Sequence, residues 1–548
     1  MCILRYKHGA VLPLPQKRIL IVRSKPPKAA KPTAAAKRVA RTSMGVRTIS
    51  PTSAAVGTTL AFYLDDFSRT LFPLKTNREI IERGESEIRE YIARCIDNEE
   101  KEFSFSAQHR VYAAKPGLHL RRTVKLDPVT EYYIYDVVFR SRALFRKPHS
   151  LDRTHYGYRF EKGAPIAPTA AYKGFKGAVA EYSRKYTHFM SFDVASYFNS
   201  VYHHDIVSWF DEIGADAKDV KGLGQLLRQI NSGRSVDCLP QGLYPTKMIG
   251  NDFLRFVDNY HGLRSDRFVR FMDDMYLFSN DERAIVDDFQ VVQRLLGEKG
   301  LSVNPQKTKK DTAAHIKMDR EIDAVKKTLL DRRRRLVTQG YDDAGDEIVK
   351  EVMLKSPLSN RELKYIDSLL EKPDIEEDDA ELILTIMREH AGRVEKRLPY
   401  IVRSYPHLTK NVYSFCFSMS DKEMIAEMIL EEADTRDCLM EFQLFWFGAI
   451  LEDHLMQSSK ASILISVLFN HRSATSITKA KILEIPDVRF GLPELRNEYL
   501  KSGQSDWLAW ASAVGSRSLS TASRNYRLKY FGNSSPMNHL IATIMLKS

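Results

Sequence analysis

Residues Arg267–Ser279, RFVRFMDDMYLFS, place two adjacent carboxylates between two short apolar segments. The aromatic and branched side chains on either side favour β-strands, so the stretch predicts a hairpin with Asp273 and Asp274 at its tip. Two like charges side by side must be compensated by water or by a cation, and carboxylate oxygens suit Mg²⁺. The stretch therefore predicts a hairpin whose tip holds a divalent metal ion.

Adjacent aspartates also occur at Asp65-Asp66 and at Asp342-Asp343, but no apolar return segment follows either pair. We interpret both pairs as solvated charges in a turn or at a helix end. The pattern alone is therefore weak, and a metal site at Asp273 needs a third carboxylate from elsewhere in the chain.

Asp193 is the candidate for this third carboxylate. It ends the apolar start of His188–His204, HFMSFDVASYFNSVYHH, and is predicted to lie at the end of a buried strand. Between it and the hairpin lies Leu239–Gly242, LPQG, a rigid and then flexible turn that leads into a predicted helix.

In this order, FDVASYF, LPQG and FMDD resemble motifs A, B and C of reverse transcriptases. FMDD differs from the usual YxDD by a lost hydroxyl. Gly300–Thr308, GLSVNPQKT, resembles motif D, and His155–Phe160, HYGYRF, resembles the segment before motif A. The resemblance covers roughly residues 110–310.

The resemblance implies a catalytic centre made of Asp193, Asp273, Asp274 and Lys307. The three carboxylates and the backbone carbonyl of Val194 would hold two Mg²⁺ ions, or Mn²⁺, which is the arrangement of two-metal nucleotidyl transfer. Lys307 would lie near the leaving pyrophosphate, although a surface lysine in a turn is the simpler interpretation.

The resemblance also implies five nucleotide-binding residues: Lys115, Arg122, Phe198, Gln241 and Gly242. The two cations would grip the triphosphate. Phe198 would lie under the sugar, where it would exclude a 2′-hydroxyl and favour deoxynucleotides. The alternative interpretation is that Phe198 is an ordinary core aromatic. Gln241 and Gly242 would let the backbone approach the nucleotide.

The net charge of +13 comes from the first part of the chain. Residues 1–60 hold 12 Lys or Arg and no acid, which leaves 71 basic against 70 acidic residues elsewhere. We predict a disordered basic tail over residues 1–58. A dispensable or untranslated stretch before Met44, a nucleic-acid-binding arm and a targeting peptide stay open as explanations.

The predicted fold class is α+β. Fingers and palm, with an antiparallel palm sheet and helices, should occupy residues 59–315, followed by a thumb-like helical segment over 316–355. Tyr132–Tyr135 is predicted as part of a β region before the palm. Residues 356–548 show helical spacing of apolar residues throughout, which predicts an all-helical domain of bundle or helical-repeat type.

Near the end of this domain, aromatic and basic residues are concentrated: Trp507, Trp510, Arg517, Arg524, Tyr526, Arg527, Lys529, Tyr530 and Phe531. They are interpreted either as a core with a charged rim or as a path for a single strand. Five scattered cysteines lack disulfide or zinc spacing, and no apolar run reaches the length of a membrane span. A cytoplasmic protein is expected.

The resemblance implies an RNA-directed DNA polymerase that adds deoxynucleotides to a primer or a protein hydroxyl, with or without a template. The long helical extension is most similar to the bacterial abortive-infection, or defence-associated, reverse transcriptases, which implies antiviral defence. Expected partners are deoxynucleoside triphosphates, an RNA template and a single-stranded DNA product. An associated non-coding RNA and homo-oligomerisation stay open.

Three alternatives compete with this interpretation. An RNA-dependent RNA polymerase shares the palm, but Phe198 argues against it. A group II intron or retron-like enzyme without a defence role would differ from this chain in the segment that follows the polymerase core. An inactive binding module would have no reason to keep three carboxylates together.

Overall fold

The computed structural model describes residues 57–97, 102–106, 108–146, 150, 152–230, 238–311, 324–339 and 357–547. Most of the predicted basic tail, the pair Asp342-Asp343 and parts of the predicted thumb-like segment lie outside these residues. Within the segment predicted to be thumb-like, residues Ala324–Gln339 form a helix.

The described residues form nine strands: β1 (His109–Ala114), β2 (Leu120–Lys125), β3 (Arg153–His155), β4 (Phe160–Glu161), β5 (Ala164–Pro165), β6 (His188–Phe192), β7 (Arg267–Phe271), β8 (Asp274–Ser279) and β9 (Lys309–Asp311). The α-helices up to the palm's end are α1 (Thr59–Phe67), α2 (Lys75–Arg83), α3 (Glu85–Asp97), α4 (Pro128–Arg140), α5 (Pro168–Lys185), α6 (Tyr197–Ser200), α7 (His203–Glu212), α8 (Ala217–Ile230), α9 (Tyr244–Phe253), α10 (Arg255–Asp258) and α11 (Glu282–Glu298).

The later helices are α12 (Ala324–Gln339), α13 (Asn360–Leu370), α14 (Glu377–Ile386), α15 (Leu398–Ser404), α16 (Thr409–Cys416), α17 (Lys422–Thr435), α18 (Glu441–Ile450), α19 (Ala461–Asn470), α20 (Ser476–Leu483), α21 (Leu492–Lys501), α22 (Trp507–Gly515), α23 (Thr521–Phe531) and α24 (Pro536–Leu546). Short 3₁₀ turns and one π-helical turn, Leu451–Leu455, join some of them.

The palm is a five-stranded sheet in the order β3-β7-β8-β6-β9. The predicted hairpin is confirmed, since β7 and β8 pair antiparallel with Phe271 opposite Asp274. β6 pairs antiparallel with β8 and ends one residue before Asp193, as predicted. Only β3 runs parallel to its neighbour, β7. The three carboxylates therefore lie at the same end of the three central strands.

Both faces of this sheet are covered, because successive side chains in a strand point to opposite faces. Phe189 and Phe278 pack with Phe175 of α5 on one face. Met190 and Leu277, their neighbours in sequence, join the main core on the other face, where α11 packs on β6 and β8. The sheet is thus held rigidly between helices.

The prediction of a strand over Tyr132–Tyr135 is wrong, because these residues lie in the helix α4. Asp127 caps the start of this helix by accepting a hydrogen bond from the Thr130 N–H, and Pro128 occupies its first turn. Its tyrosines are buried on all sides by α1, α2, α3, α8 and α9. Local capping and complete burial override the strand preference of aromatic residues.

The prediction of solvated charges at Asp65-Asp66 is wrong for Asp66. It lies in α1 with 2% of its surface exposed. Its carboxylate accepts hydrogen bonds from the Tyr135 hydroxyl at 2.6 Å and the Tyr244 N–H at 2.7 Å. The buried charge joins three helices of the fingers and palm.

Residues 357–547 are helical with no strand, which confirms the predicted all-helical character of this extension. Its helices pack mostly on the helix two positions ahead, as α16 does on α18, α18 on α20 and α20 on α22. The extension also packs on the fingers, because α18 contacts β1 and α22 contacts α2.

The end of the extension divides between the two interpretations, because Tyr526 and Tyr530 keep 80% and 60% of their surface exposed while other members of the set are buried. Trp507, Trp510 and Phe531 are core residues, and Arg524 is buried. Arg527 donates to the carbonyl of Pro493 at 2.9 Å. No helix of the described chain combines the length and the apolar character that crossing a bilayer requires.

Candidate active site

The two-residue turn between β7 and β8 consists of Met272 and Asp273, and it exposes the adjacent carboxylates. Met272 has a φ of 56°, in the left-handed region that such turns need and that usually selects glycine or asparagine. Asp273 is half-buried and Asp274 is exposed. The strained turn thus presents both aspartates at the end of the β7-β8 hairpin.

A buried arginine supports the turn from below. Arg270 has no exposed surface, and its guanidinium binds both carboxylate oxygens of Asp258, at 2.7 and 2.5 Å. It also donates to the side-chain and main-chain oxygens of Asn251, at 3.0 and 2.8 Å, and to the Met272 carbonyl at 3.2 Å. The guanidinium therefore joins α9, α10 and the turn.

Asp193 lies directly after β6, with 7% of its surface exposed. Its backbone carbonyl accepts from the Asn304 N–H at 2.8 Å, and the Ala195 N–H donates to Ser302 at 2.7 Å. Val194 between them forms a bridge with Val303. The segment that resembles motif D is thereby fixed beside the first carboxylate.

Lys307 reaches Asp193 directly. Its Nζ donates to Asp193 Oδ2 at 2.7 Å, and this hydrogen bond raises the pKa of the lysine. The other oxygen, Asp193 Oδ1, is buried and finds no hydrogen-bond partner among the described residues. A buried carboxylate oxygen without a donor costs free energy unless a ligand satisfies it.

The carboxylates repel one another. Burial, the charge of Asp274 and the charge of Asp193 raise the pKa of Asp273 to about 6, and Lys307 opposes this effect. Burial and Asp193 likewise raise the pKa of Asp274. Such mutual repulsion is typical of a site built for a cation.

The donors fit a hard divalent ion, because they are carboxylate oxygens and one of them lacks a partner. Within the part of the chain that the structure describes, no group of three or more His, Cys, Asp or Glu side chains is gathered closely enough to form a metal site. The ammonium of Lys307 supplies the positive charge beside Asp193.

The fingers hairpin β1-β2 brings cations to the same place. Burial, Arg121 and Lys307 lower the pKa of Lys115, while Asp273 and Asp193 raise it. Burial lowers the pKa of Arg121, and the charge of Asp273 opposes this effect. The predicted Lys115 thus lies within electrostatic reach of the carboxylates.

The alternation of side chains along β2 favours Arg121, and not the predicted Arg122, as the partner of Lys115. Arg121 and Thr123 lie on one face of β2, and Arg122 lies on the other. Thr123 Oγ1 accepts from the Gln241 N–H at 2.7 Å, so this face meets the LPQG turn. The assignment of Arg122 to the nucleotide therefore stays a prediction that the geometry does not favour.

The LPQG turn is fixed by close packing. Gly242 has a φ of 100°, and a Cβ there would lie 2.7 Å from Leu71 Cγ. Both its conformation and the space around it require glycine. The Leu239 N–H donates to the Phe198 carbonyl at 2.8 Å, which joins this turn to the segment after Asp193.

Phe198 is half-buried, and its ring stands edge-on to Tyr197 with 5.4 Å between centroids. Gly250 of α9 lies against both rings, since a Cβ there would be 3.2 Å from Phe198 Cζ and 3.3 Å from Tyr197 Cε1. The Tyr197 hydroxyl donates to the Gly250 carbonyl at 2.6 Å. The glycine therefore fixes the position of the Phe198 ring.

Sequence reasoning missed three residues of this site: Arg121, Gly250 and Arg270. The charge of Arg270 inside the apolar segment RFVRF was an available signal, because a charge in a buried strand needs a partner. The other two carry no signal without the tertiary contacts.

The comparisons with known proteins agree with this geometry. The family model described as reverse transcriptase (RNA-dependent DNA polymerase) matches residues 143–330. No curated protein matches the chain. The matched range contains β3 to β9 with Asp193, Asp273, Asp274 and Lys307, so this part of the chain is similar to a reverse transcriptase domain, which supports nucleotidyl polymerase activity in general.

Proposed function

We propose that the protein is a two-metal DNA polymerase of the reverse transcriptase type, which adds deoxynucleotides to a hydroxyl group. The observation that carries this proposal is the approach of Lys307 to Asp193 at the end of the central strands where Asp273 and Asp274 also lie. Three mutually repelling carboxylates beside a lysine suit phosphate chemistry.

Asp193, Asp273, Asp274 and the Val194 carbonyl would hold two Mg²⁺ ions, which when bound activate the attacking hydroxyl and stabilise the leaving oxygen. Lys307, released from Asp193 when a cation takes its place, would neutralise the pyrophosphate. Lys115 and Arg121 would contact the triphosphate, because both interact with Asp273. Gln241 and Gly242 would bring their backbone close to the nucleotide.

Phe198 supports deoxynucleotides over ribonucleotides as substrates. Its ring stands edge-on to Tyr197 and lies beside Gly250 of α9. A rigid ring under the sugar excludes a 2′-hydroxyl by steric contact. An RNA-dependent RNA polymerase would need space there.

The direct test is incorporation of labelled deoxynucleotides with Mg²⁺ by the full chain, with Asp193→Asn as the inactive control. Incorporation by the wild type alone supports the proposal. Preferential use of ribonucleotides would favour an RNA polymerase instead, and equal incorporation by the control would exclude Asp193 from the reaction.

We further propose a role in bacterial antiviral defence, with the helical extension as the supporting feature. An extension that packs on the fingers through α18 and α22 can shape the path of template or product. Sequencing the nucleic acid that co-purifies with the protein would identify template, primer and product. Covalent attachment of DNA through phenol extraction would indicate a protein hydroxyl as primer, and recovery of an intron or a retron RNA would favour those classes.

A further inference from the structure

We propose that Glu441 of the helical extension is a positioning residue for the incoming nucleotide. Its carboxylate holds the fingers hairpin β1-β2 through one backbone hydrogen bond, and so sets where Lys115 and Arg121 lie relative to the carboxylates of the palm. The inference rests on the proposed function, and it gives the extension a part in substrate binding.

The edge of the hairpin offers a backbone donor to the extension. Within the described chain, the sheet that β1 and β2 form has only two strands. Alternate N–H groups of such a strand point away from the partner strand. The N–H of Tyr112 in β1 donates to Glu441 Oε2 at 2.8 Å. A side chain of the extension therefore takes the place that a third strand would fill.

The carboxylate of Glu441 is held on both sides. Glu441 is the first residue of α18, and 8% of its surface is exposed. Its other oxygen, Oε1, accepts from the Thr475 hydroxyl at 2.6 Å. An acid in the first turn of a helix also interacts favourably with the helix dipole. The extension itself therefore fixes the direction of the carboxylate.

The bonded N–H lies close in the chain to both cations of the hairpin. Lys115 follows β1 directly, and Arg121 pairs across the hairpin with Ala113, the residue next to Tyr112. Because the ladder of hydrogen bonds joins the two strands, a displacement of Tyr112 would displace both cations.

The palm and the extension hold opposite strands of the hairpin. Thr123 of β2 accepts from the Gln241 N–H of the LPQG turn, at 2.7 Å. The turn Pro116–Leu118 at the hairpin tip contacts the turn Pro406–Leu408 of the extension. With β2 tied to the palm and β1 tied to the extension, rotation of the hairpin about its own axis is restricted.

The same helix also supports the LPQG turn by packing. Phe72 lies against Phe442 and Phe445 of α18, with ring centroids 5.9 and 5.2 Å apart. Its neighbour Leu71 fills the space beside Gly242, where a Cβ would lie 2.7 Å from Leu71 Cγ. α18 therefore supports both segments that would touch the nucleotide, the hairpin directly and the turn through two intervening side chains.

Two substitutions separate the reach of the side chain from its charge. Glu441→Asp keeps the charge at the helix start but is one methylene shorter, so it cannot reach Tyr112 and Thr475 together. Glu441→Gln loses the charge but keeps an oxygen at the same reach. Glu423→Asp is the matched control, because Glu423 also lies in the first turn of a helix, α17, and accepts from the N–H and the hydroxyl of Ser459, within the extension.

The first measurement is hydrogen–deuterium exchange of the full-length protein without nucleotide, followed by mass spectrometry of peptides that cover His109–Ala114. Loss of one hydrogen bond should make the Tyr112 amide exchange about 5-fold faster in Glu441→Asp. Glu441→Gln and Glu423→Asp should exchange at the wild-type rate. An unchanged rate in Glu441→Asp would overturn the inference.

The second measurement is the affinity for dTTP with Mg²⁺ by equilibrium dialysis, together with the kinetics of incorporation. Glu441→Asp should weaken dTTP binding and raise the KM by about 5-fold, with kcat within about 2-fold of the wild type. Glu441→Gln should restore both values. A support of the fold alone would not change the KM while leaving kcat intact.

Faster exchange with an unchanged affinity for dTTP would overturn the inference, and so would equal losses in the Asp and Gln variants of Glu441. A wild-type protein that binds dTTP without incorporating it would contradict the proposed function alone, because exchange and dialysis do not depend on turnover. A wild-type protein that binds no dTTP would contradict both.

Discussion

Arg270 and Asp258 form an ion pair in which neither side chain has any exposed surface. The pair lies beneath the Met272–Asp273 turn, and its guanidinium donates to the Met272 carbonyl at 3.2 Å. A turn with a left-handed methionine persists only where its surroundings enforce it. The ion pair supplies that enforcement, and so positions the two carboxylates.

Asp258→Asn should destabilise the fold by about 3–5 kcal/mol, because it leaves the buried charge of Arg270 without a counter-ion. Chemical denaturation measures this loss. The control is Asp287→Asn, since Asp287 pairs with Arg264 at the surface, where the expected loss is about 0–1 kcal/mol. Equal stability of the two variants would show that the buried pair does not support the turn.

Arg270→Lys keeps one positive charge but cannot reach Asp258, Asn251 and Met272 together. We expect incorporation to fall by about 100-fold at temperatures where the variant stays folded. The concentration of Mg²⁺ at half-maximal rate should rise as well, because the carboxylates are misplaced. A folded variant with wild-type metal dependence would contradict this role.

Asp273→Asn should abolish incorporation, by about 100-fold or more, because it removes a charged oxygen from the catalytic centre. It should also stabilise metal-free protein at high pH. The raised pKa of Asp273, about 6, means that protonation favours the folded state, and that this contribution is lost as the pH rises through about 6.

The stability gain of Asp273→Asn should therefore be about 1–2 kcal/mol near pH 8 and close to zero near pH 4. Denaturation curves in EDTA at both pH values check this difference. A gain that is the same at both pH values would show that repulsion among the carboxylates is not its cause.

Phe198→Ala should increase the use of ribonucleotides relative to deoxynucleotides by about 10- to 100-fold. Phe256→Ala is a matched control, since Phe256 is also a partly buried core aromatic but lies in α10. Competition between labelled nucleotides measures the ratio. Unchanged discrimination would make Phe198 a core residue only.

Gly250→Ala tests the position of the same ring. The added methyl would lie 3.2 Å from Phe198 Cζ, so the ring must shift. We expect the KM for deoxynucleotides to rise several-fold, with less effect on folding than on the KM. A normal KM would show that the ring tolerates displacement.

Glu484→Ala should destabilise the fingers through the extension. Glu484 Oε2 accepts from Thr76 N and Oγ1 at 2.6 and 2.8 Å, in the first turn of α2, and Oε1 accepts from buried Lys481 at 2.8 Å. We expect Glu484→Ala to lower the free energy of unfolding by about 3–5 kcal/mol. Deletion of residues 356–548 should give an insoluble protein. Glu494→Ala, in the first turn of α21, should be nearly neutral. A soluble, active deletion variant would show that the fingers fold without the extension.

The sequence by itself determined the local structure of the palm. The apolar segments around FMDD and before Asp193 predicted the hairpin and the strand that the structure contains, because strand preference and side-chain alternation are local properties. The order of the motifs predicted that Asp193, Asp273 and Asp274 belong to one site, and their assignment to a metal centre stays a prediction. The helical spacing after residue 356 predicted the all-helical extension, whose boundaries with the polymerase core stay a prediction.

Only the tertiary structure decided which side chains face the site. Whether Arg121 or Arg122 meets Asp273 depends on strand register, since a shift of one residue reverses every side chain. The burial of Asp66 and of the tyrosines in α4 results from contacts between distant segments. Such contacts leave no periodic trace in the sequence, because the cost and the compensation of a buried charge lie on different parts of the chain.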